Sequence, residues 1–371
     1  MEVARSRVAA QRLVGPPLAS APGVVEHLLA VQAQELGYAR WSLAQRSGAD
    51  LATVQTALDE GRVLRTHALR PTWHFLAADD VRWVQALTGP RVAAACRYQE
   101  RTIGVDDELV ARAGAVLTRV LAGGEHLTRD EVRIALAASG LDLAGAPLAL
   151  VLLRCELDAL LVSGVARGTR QTYALLDERV PGGRDLRGDD ALVELVRRYL
   201  VGHGPATVAD LSWWSSQTRT DLRRALADLA GEVERIEVDG LTLWHVPAPA
   251  PVPVPASPDV HLLQTYDEYV VGFSESRRFF NATAADIGPG NSNQFFHPVL
   301  LDSQVVAAWR PTTKGRTATV VVRPWVELEP ATIAAIETQV HRWAACNDLD
   351  PVLELAPVTT APPARPPARP A

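Results

Sequence analysis

The sequence predicts an α+β fold: three tandem winged helix-turn-helix modules followed by a small C-terminal β-barrel or antiparallel-sheet module. Three observations carry that expectation. Short helices closed by a two-stranded hairpin recur three times before residue 246. A run alternating proline with small residues, PAPAPVPVPASP, occupies 247–258, and such a run forbids helix or central strand and favours a stiff, extended connector. After it the chain turns to short strand-like apolar runs. The expected boundaries are 1–90, 91–185 and 186–246 for the three modules, 247–258 for the connector, 259–357 for the C-terminal module and 358–371 for a tail. That tail, ending APPARPPARPA, has nothing apolar to bury and is expected to be disordered.

The elements justify themselves in order. In the first module Val24, Leu28 and Val31 recur at helical spacing, Trp41 to Arg46 and Leu51 to Glu60 read as helices, and Val63 to Leu76 reads as a hairpin. In the second, Thr128-Arg129-Asp130-Glu131 is a capping-box start, 149–161 is a long apolar helix, and 165–175 turns at Gly168. The third is the clearest. A helix over 192–200 is followed by Thr207 capping a short helix through Trp213 and Trp214, and then by a helix over 220–229. Val233 to Trp244 then alternates on both sides of Asp239-Gly240, a strong hairpin signal. The hairpins end alike, in Trp73-His74-Phe75, Thr172-Tyr173-Ala174 and Leu243-Trp244-His245. Beyond the connector, runs at Val260, Tyr269 to Gly272, Val299, Val305 and Ala318 read as strands, and Ile333, Ile336, Val340 and Trp343 mark a helix over 330–345. Trp73, Trp213, Trp214, Trp244 and Trp343 follow core faces and are read as core residues.

Composition narrows the chemistry. The 371 residues, 47% hydrophobic and 22% charged, describe an ordinary globular protein of two or three domains. A net charge of -6 excludes a uniformly basic surface but leaves room for a local basic groove. Lys314 is the sole lysine and sits in Thr-Thr-Lys-Gly-Arg, so there is no phosphate-binding P-loop and no recognisable Schiff-base context. Cys96, Cys155 and Cys346 are far apart and odd in number, which reads as reduced thiols with neither a disulfide framework nor a metal site. No cofactor is expected. With no secretory leader and no apolar run near the ~20 residues of a membrane span, the expected compartment is the cytoplasm.

The sharpest short string is Val31-Gln32-Ala33-Gln34-Glu35-Leu36. Residues i and i+2 diverge on a helix but lie on the same side of an extended segment. Gln32 and Gln34 therefore converge only if the helix has ended before them, with Gly37 as an exit; otherwise they are two exposed polar residues at a helix end.

Three strings, LLAVQAQELGYARWSLAQR, LRTHALRPTWHFLAADD and LLQTYDEYVVGFSESR, occur in the order found in the HTH_42 winged-helix family and resemble its motifs. That family includes the AlkZ- and YcaQ-type bacterial DNA glycosylases, and the resemblance spans nearly the whole chain. It is closest to the azinomycin-resistance branch, where a Gln-x-Gln motif serves catalysis; YcaQ-like members carry Asp for the second Gln. The resemblance implies three winged helices with a C-terminal β-barrel and a DNA glycosylase; with no usable lysine near the motif the enzyme is expected to be monofunctional, and it is expected to act as a monomer. Its substrate would be double-stranded DNA with alkylated or crosslinked guanine. Removal of bulky N7-alkylguanine or unhooking of crosslinks would serve repair or self-resistance to a genotoxic natural product.

On that reading Gln32 and Gln34 position water and stabilise charge, a task that suits amides because a cationic N7-alkylguanine is already a good leaving group. Glu35 and Asp267 are carboxylates that would assist, although Asp267 equally fits a loop-capping role. His74 reads first as a buried, hydrogen-bonded histidine and second as an assisting group. DNA contact falls to Arg62, Arg65 and Arg70 at the first hairpin, Arg167 and Arg170 at the second, Arg277 and Arg278 after the Asp267 motif, and Arg310, Lys314 and Arg316. Any one of these equally fits solvated surface charge. The competing function is a non-catalytic winged-helix DNA-binding protein or transcriptional regulator. Three different degenerate modules in one chain disfavour it, because simple regulators pair copies of one module. A small-molecule hydrolase lacks a nucleophile motif.

Overall fold

The computed structural model describes residues 2–247, 256–283 and 297–360; most of the proline-rich connector and of the terminal tail lies outside the described residues. The chain opens with α1 (Glu2–Ala10) and α2 (Ala21–Leu28), then β1 (Val31–Gln32), α3 (Leu36–Ser47), α4 (Leu51–Asp59), β2 (Val63–Ala68) and β3 (Thr72–Ala77). From α2 onward this is helix, strand, helix, helix, hairpin, and the sheet order is β1-β3-β2. A 23-residue helix, α5 (Val81–Ile103), leads to α6 (Asp107–Leu121), β4 (Leu127–Thr128), α7 (Arg129–Ala138), α8 (Gly145–Leu157), β5 (Leu161–Ser163) and β6 (Thr172–Leu175). The order repeats, with β4-β6-β5 as the sheet.

After α9 (Leu176–Arg179) come α10 (Gly188–His203), α11 (Val208–Ser215), α12 (Arg219–Asp228) and the hairpin of β7 (Glu234–Val238) and β8 (Leu241–His245). Here the first strand has shrunk to a single bridge between Ala206 and Trp244. Local chemistry fixes these starts. Asp50, Asp106, Thr128, Thr207 and Thr218 each cap a helix with their side chains, satisfying amide donors the helix itself cannot. Thr128 and Thr207 complete full capping boxes with Glu131 and Asp210.

The last part holds β9 (Val260–Leu262), α13 (Glu268–Val271), a 3-10 turn (Arg277–Phe279), β10 (His297–Leu301), β11 (Gln304–Lys314), β12 (Thr317–Pro324), α14 (Pro330–Cys346) and β13 (Asp350–Leu355). Their sheet order is β13-β12-β11-β10-β9, antiparallel except for the parallel pair β12–β13, because α14 carries the chain back to the same end of the sheet.

Three expectations need correction. The apolar run at Tyr269 is helix α13, not a strand, because Asp267 accepts from the Tyr269 N–H and starts a helix that is buried all round. Trp213 is 40% exposed: on α11 its neighbour Trp214 takes the inward face, and consecutive helical residues point about 100° apart. Val31 belongs to a strand.

At Gly89 the helices α5 and α8 approach closely, and a Cβ would meet the Leu157 carbonyl oxygen at 2.8 Å. Gly89→Ala is expected to destabilise the fold by about 1–3 kcal/mol through overpacking. A urea unfolding midpoint equal to wild type would show that the two helices separate without cost.

The cores do not respect the expected boundaries. Helices α2, α3 and α4 share one core with β9 to β12 and α14, bringing Trp41 and Phe75 together with Trp309, Ile336 and Trp343. The buried indoles keep their N–H groups paired across that junction, Trp41 to the Leu262 carbonyl and Trp309 to the Leu263 carbonyl, each at 2.8 Å. A second core joins α1, β2, α5, α10 to α12, Tyr269 and Phe273. Among the described residues, only the middle repeat keeps a core of its own, from α6, α7, α8, β5 and β6. Among the described residues no helix is long and apolar enough to cross a membrane.

Candidate active site

Helix α2 starts at Ser20, whose hydroxyl accepts from the Gly23 N–H, and stops at Leu29, which takes a left-handed φ of 66°. The helix has therefore ended before the glutamines, as their convergence requires. Val31 and Gln32 are extended and pair with Phe75 and His74 on β3. The Ala33 N–H donates to the Trp73 carbonyl at 2.7 Å and prolongs that pairing.

Gln32 is 3% exposed and held at three points. Its backbone N–H donates to Oε1 of Glu268 at 2.7 Å, its carbonyl accepts from Nε2 of Gln264 at 3.3 Å, and its side-chain Oε1 accepts from Nη2 of Arg70 at 2.8 Å. Gln34 is half-buried, and its Oε1 accepts from the Trp73 N–H at 3.3 Å. Both side-chain carbonyls thus already carry a protein donor, where free carbonyls would serve water most directly. Arg65 props the connecting backbone by donating to the carbonyls of Ala33 at 2.9 Å and Gln34 at 3.4 Å, with its guanidinium 4.2 Å above the Trp73 ring.

Arg70 is the main correction. The sequence puts it among the DNA-contacting arginines, yet its side chain is buried. Leu69 takes a left-handed φ of 60° in the turn after β2, and Arg70 folds inward to donate to the Trp214 carbonyl at 2.8 Å as well as to Gln32. Its Nη2 also lies 3.3 Å from Nε2 of His74, while Nδ1 of His74 lies 2.9 Å from the Thr72 carbonyl. A carbonyl only accepts, so Nδ1 bears the proton and Nε2 accepts from Arg70. Burial, reinforced by the Arg70 charge, holds the His74 pKa well below its ordinary value, so the ring is neutral at pH 7.

The carboxylate that touches this site is Glu268, which sequence reasoning passed over for its neighbour Asp267. Glu268 is fully buried, and its Oε2 accepts from Nε1 of Trp214 at 2.8 Å and lies 3.1 Å from Nε2 of His203. The available signal was a glutamate embedded in an apolar run, TYDEYVVGF, since glutamate is almost never fully buried without a partner. Asp267 faces elsewhere: it pairs with Arg46 at 2.7 Å and accepts from Ser42 and from the Tyr269 N–H. Its side chain caps α13 and makes no hydrogen bond to Gln32 or Gln34 among the described residues. Glu35 occupies the cap position of α3 without making a cap bond, and partial burial raises its pKa. Its charge is felt by Tyr38 and Tyr266, whose pKa values burial already raises.

The remaining cationic candidates divide by what holds them. Arg62, Arg167 and Arg316 are exposed but paired with Glu60, Glu131 and Asp348. Arg278 is exposed and donates to the Asp239 carbonyl, while Arg277 is half-buried, with its guanidinium 5.6 Å from the Trp213 ring. Arg170, Arg310 and Lys314 are exposed without an ion pair among the described residues, Lys314 standing at the end of β11. Two open grooves lie away from the glutamines. One of about 480 Å³ runs between α5 and α8, and one of about 450 Å³ is lined by Arg223, Arg235 and Trp244.

Residues 25–346 match the family described as DNA glycosylase AlkZ-like. A curated relative, the interstrand DNA cross-link repair glycosylase of Streptomyces sahachiroi, is 25% identical over 345 residues, covering 86% of this chain and 89% of that protein. The solved structure of the Streptomyces sahachiroi DNA glycosylase AlkZ superposes with a TM-score of 0.76 at 22% identity, over 96% of this chain and 98% of that one.

Proposed function

The chain belongs to the AlkZ-like DNA glycosylases, and from that membership we propose that it removes bulky N7-alkylguanine from double-stranded DNA and unhooks interstrand crosslinks. The crosslink activity is the one named for the Streptomyces relative. We read the three helix-and-hairpin repeats as winged helices that follow the duplex, acting as a monomer.

One observation carries the catalytic assignment. A helix end and the pairing with β3 set Gln32 on extended backbone, with Gln34 in the bend two residues on, beside a buried cluster of Arg70, His74 and Glu268. Alkylation at N7 gives the base a positive charge, so the C1′–N9 bond breaks with its electron pair moving into the purine. Water adds to C1′ and releases a proton. An amide is no strong base, but a fixed dipole beside a forming charge is worth several kcal/mol. We assign water capture to Gln34, the more open of the two, and charge stabilisation to the preorganised Gln32. Incubation with N7-methylguanine duplex and with crosslinked duplex should release base and unhook the strands. No product from either substrate would favour the non-catalytic DNA-binding reading.

The reaction should be monofunctional. Strand cleavage by a bifunctional glycosylase passes through a Schiff base to an amine, and the only side-chain amine is Lys314, on the β11–β12 hairpin. Borohydride treatment during turnover should trap no protein–DNA adduct, and the product strand should break only on later alkali or heat. A trapped adduct would overturn the water-nucleophile mechanism.

A further inference from the structure

We infer that Arg70 and Glu268 are positioning residues that turn Gln32 into a hydrogen-bond donor toward the substrate. The inference rests on the reading of Gln32 as catalytic. An amide side chain has one accepting and one donating end. Arg70 binds the accepting end of Gln32 at 2.8 Å. The NH2 end finds no acceptor among the described residues and is the polar end that meets solvent. An arginine donates and never accepts, so it fixes which way round the amide stands.

Glu268 fixes the backbone of the same residue through the Gln32 N–H at 2.7 Å, and is itself held by Trp214 and His203. Arg70 reaches Trp214 from the other side, through its carbonyl. One indole-bearing residue on α11 thus braces both charged groups. Those charges offset each other inside the protein, where burial acts against the Arg70 cation and the Glu268 carboxylate supports it.

The chemistry suits a donor. As the C1′–N9 bond breaks, electron density rises on the departing purine, whose N3 and O6 accept hydrogen bonds. A donor preset there gains strength in the transition state without reorganising. Water capture then falls to Gln34.

The test compares Gln32→Ala, Gln32→Glu, Arg70→Met and Arg70→Lys in the full chain. The readouts are single-turnover base release from an N7-methylguanine duplex, unhooking of a crosslinked duplex, duplex affinity against salt, and cooperative unfolding. Gln32→Glu keeps the shape and pairs with Arg70, but has no NH2. It should fall with Gln32→Ala, about 100-fold below wild type. Arg70→Met should lose a similar factor while duplex affinity and its salt slope stay unchanged. Arg70→Lys, which can still donate to the Gln32 oxygen, should recover part of the rate.

A Gln32→Glu protein as fast as wild type, with Gln32→Ala inactive, overturns the donor role and leaves the catalytic reading standing. Full activity of Gln32→Ala overturns the catalytic reading itself. A salt slope reduced by about 0.9 in Arg70→Met would return that residue to phosphate contact. If Arg70→Met does not unfold cooperatively, Gln32→Glu and Arg70→Lys decide the matter by the same outcomes.

Discussion

Gln32→Ala and Gln34→Ala should each lower base release by about 10²–10³-fold, the loss typical of removing one preorganised polar group from a reacting centre. Binding to undamaged duplex should be nearly unchanged, because neither amide bears charge. The two variants should differ in stability. Gln32→Ala leaves the buried Arg70 one acceptor short, a loss of about 1–3 kcal/mol. Gln34→Ala removes a 3.3 Å bond to Trp73 at a half-buried position and should cost less. Rates should be taken under single turnover, at a temperature where unfolding in urea shows both variants fully folded. Wild-type rates from both folded variants would remove the glutamines from the mechanism.

Asp267→Ala should be the most destabilising single change at this junction, by about 3–5 kcal/mol, since it strands the buried Arg46 guanidinium without its carboxylate. Asp267 ties β9's following loop to α3 through Arg46 and Ser42, and it also starts α13. Burial pushes its carboxyl pKa up, but the Arg46 charge and the hydrogen bonds from Arg46, Tyr269 and Ser42 outweigh burial and hold it below the ordinary aspartate range. A depressed carboxylate gives its stabilisation in full above its unfolded pKa and loses it as pH falls through the folded one. The gap between wild type and Asp267→Ala in urea should therefore be constant from pH 5 to pH 7 and narrow below about pH 4. A gap that instead widens on acidification would mean that the carboxyl is protonated in the folded state.

What was legible in the sequence was local. Capping residues such as Thr128 and Thr207 and the Asp239-Gly240 turn act over a few positions, so their letters suffice. The QAQ string could be placed only conditionally, because the choice between helix and strand was made by Leu29 and by pairing with β3, more than forty residues onward. Arg70 and Glu268 were beyond reach. An arginine in a hairpin turn reads the same whether it points to solvent or inward. The partners that bury Glu268 sit 54 and 65 positions earlier, at Trp214 and His203. Asp267 attracted attention for matching a family motif, and its two candidate roles differ only in which neighbour the fold supplies. Arg46, that neighbour, is 221 positions away.

The core shared by α2 to α4 and the sheet of β9 to β12 with α14 has a consequence for how the protein is made. Domains that own their cores fold in turn as they leave the ribosome. Here the segment bearing Gln32 and Gln34 emerges early, but Trp41 and Phe75 lack part of their core until Trp309, Ile336 and Trp343 have been synthesised. A nascent or truncated chain ending before residue 297 holds that apolar face open and is a substrate for chaperones and proteases. Glycosylase activity should consequently wait on the last element of the sheet, and a fragment that stops short of it should be inactive.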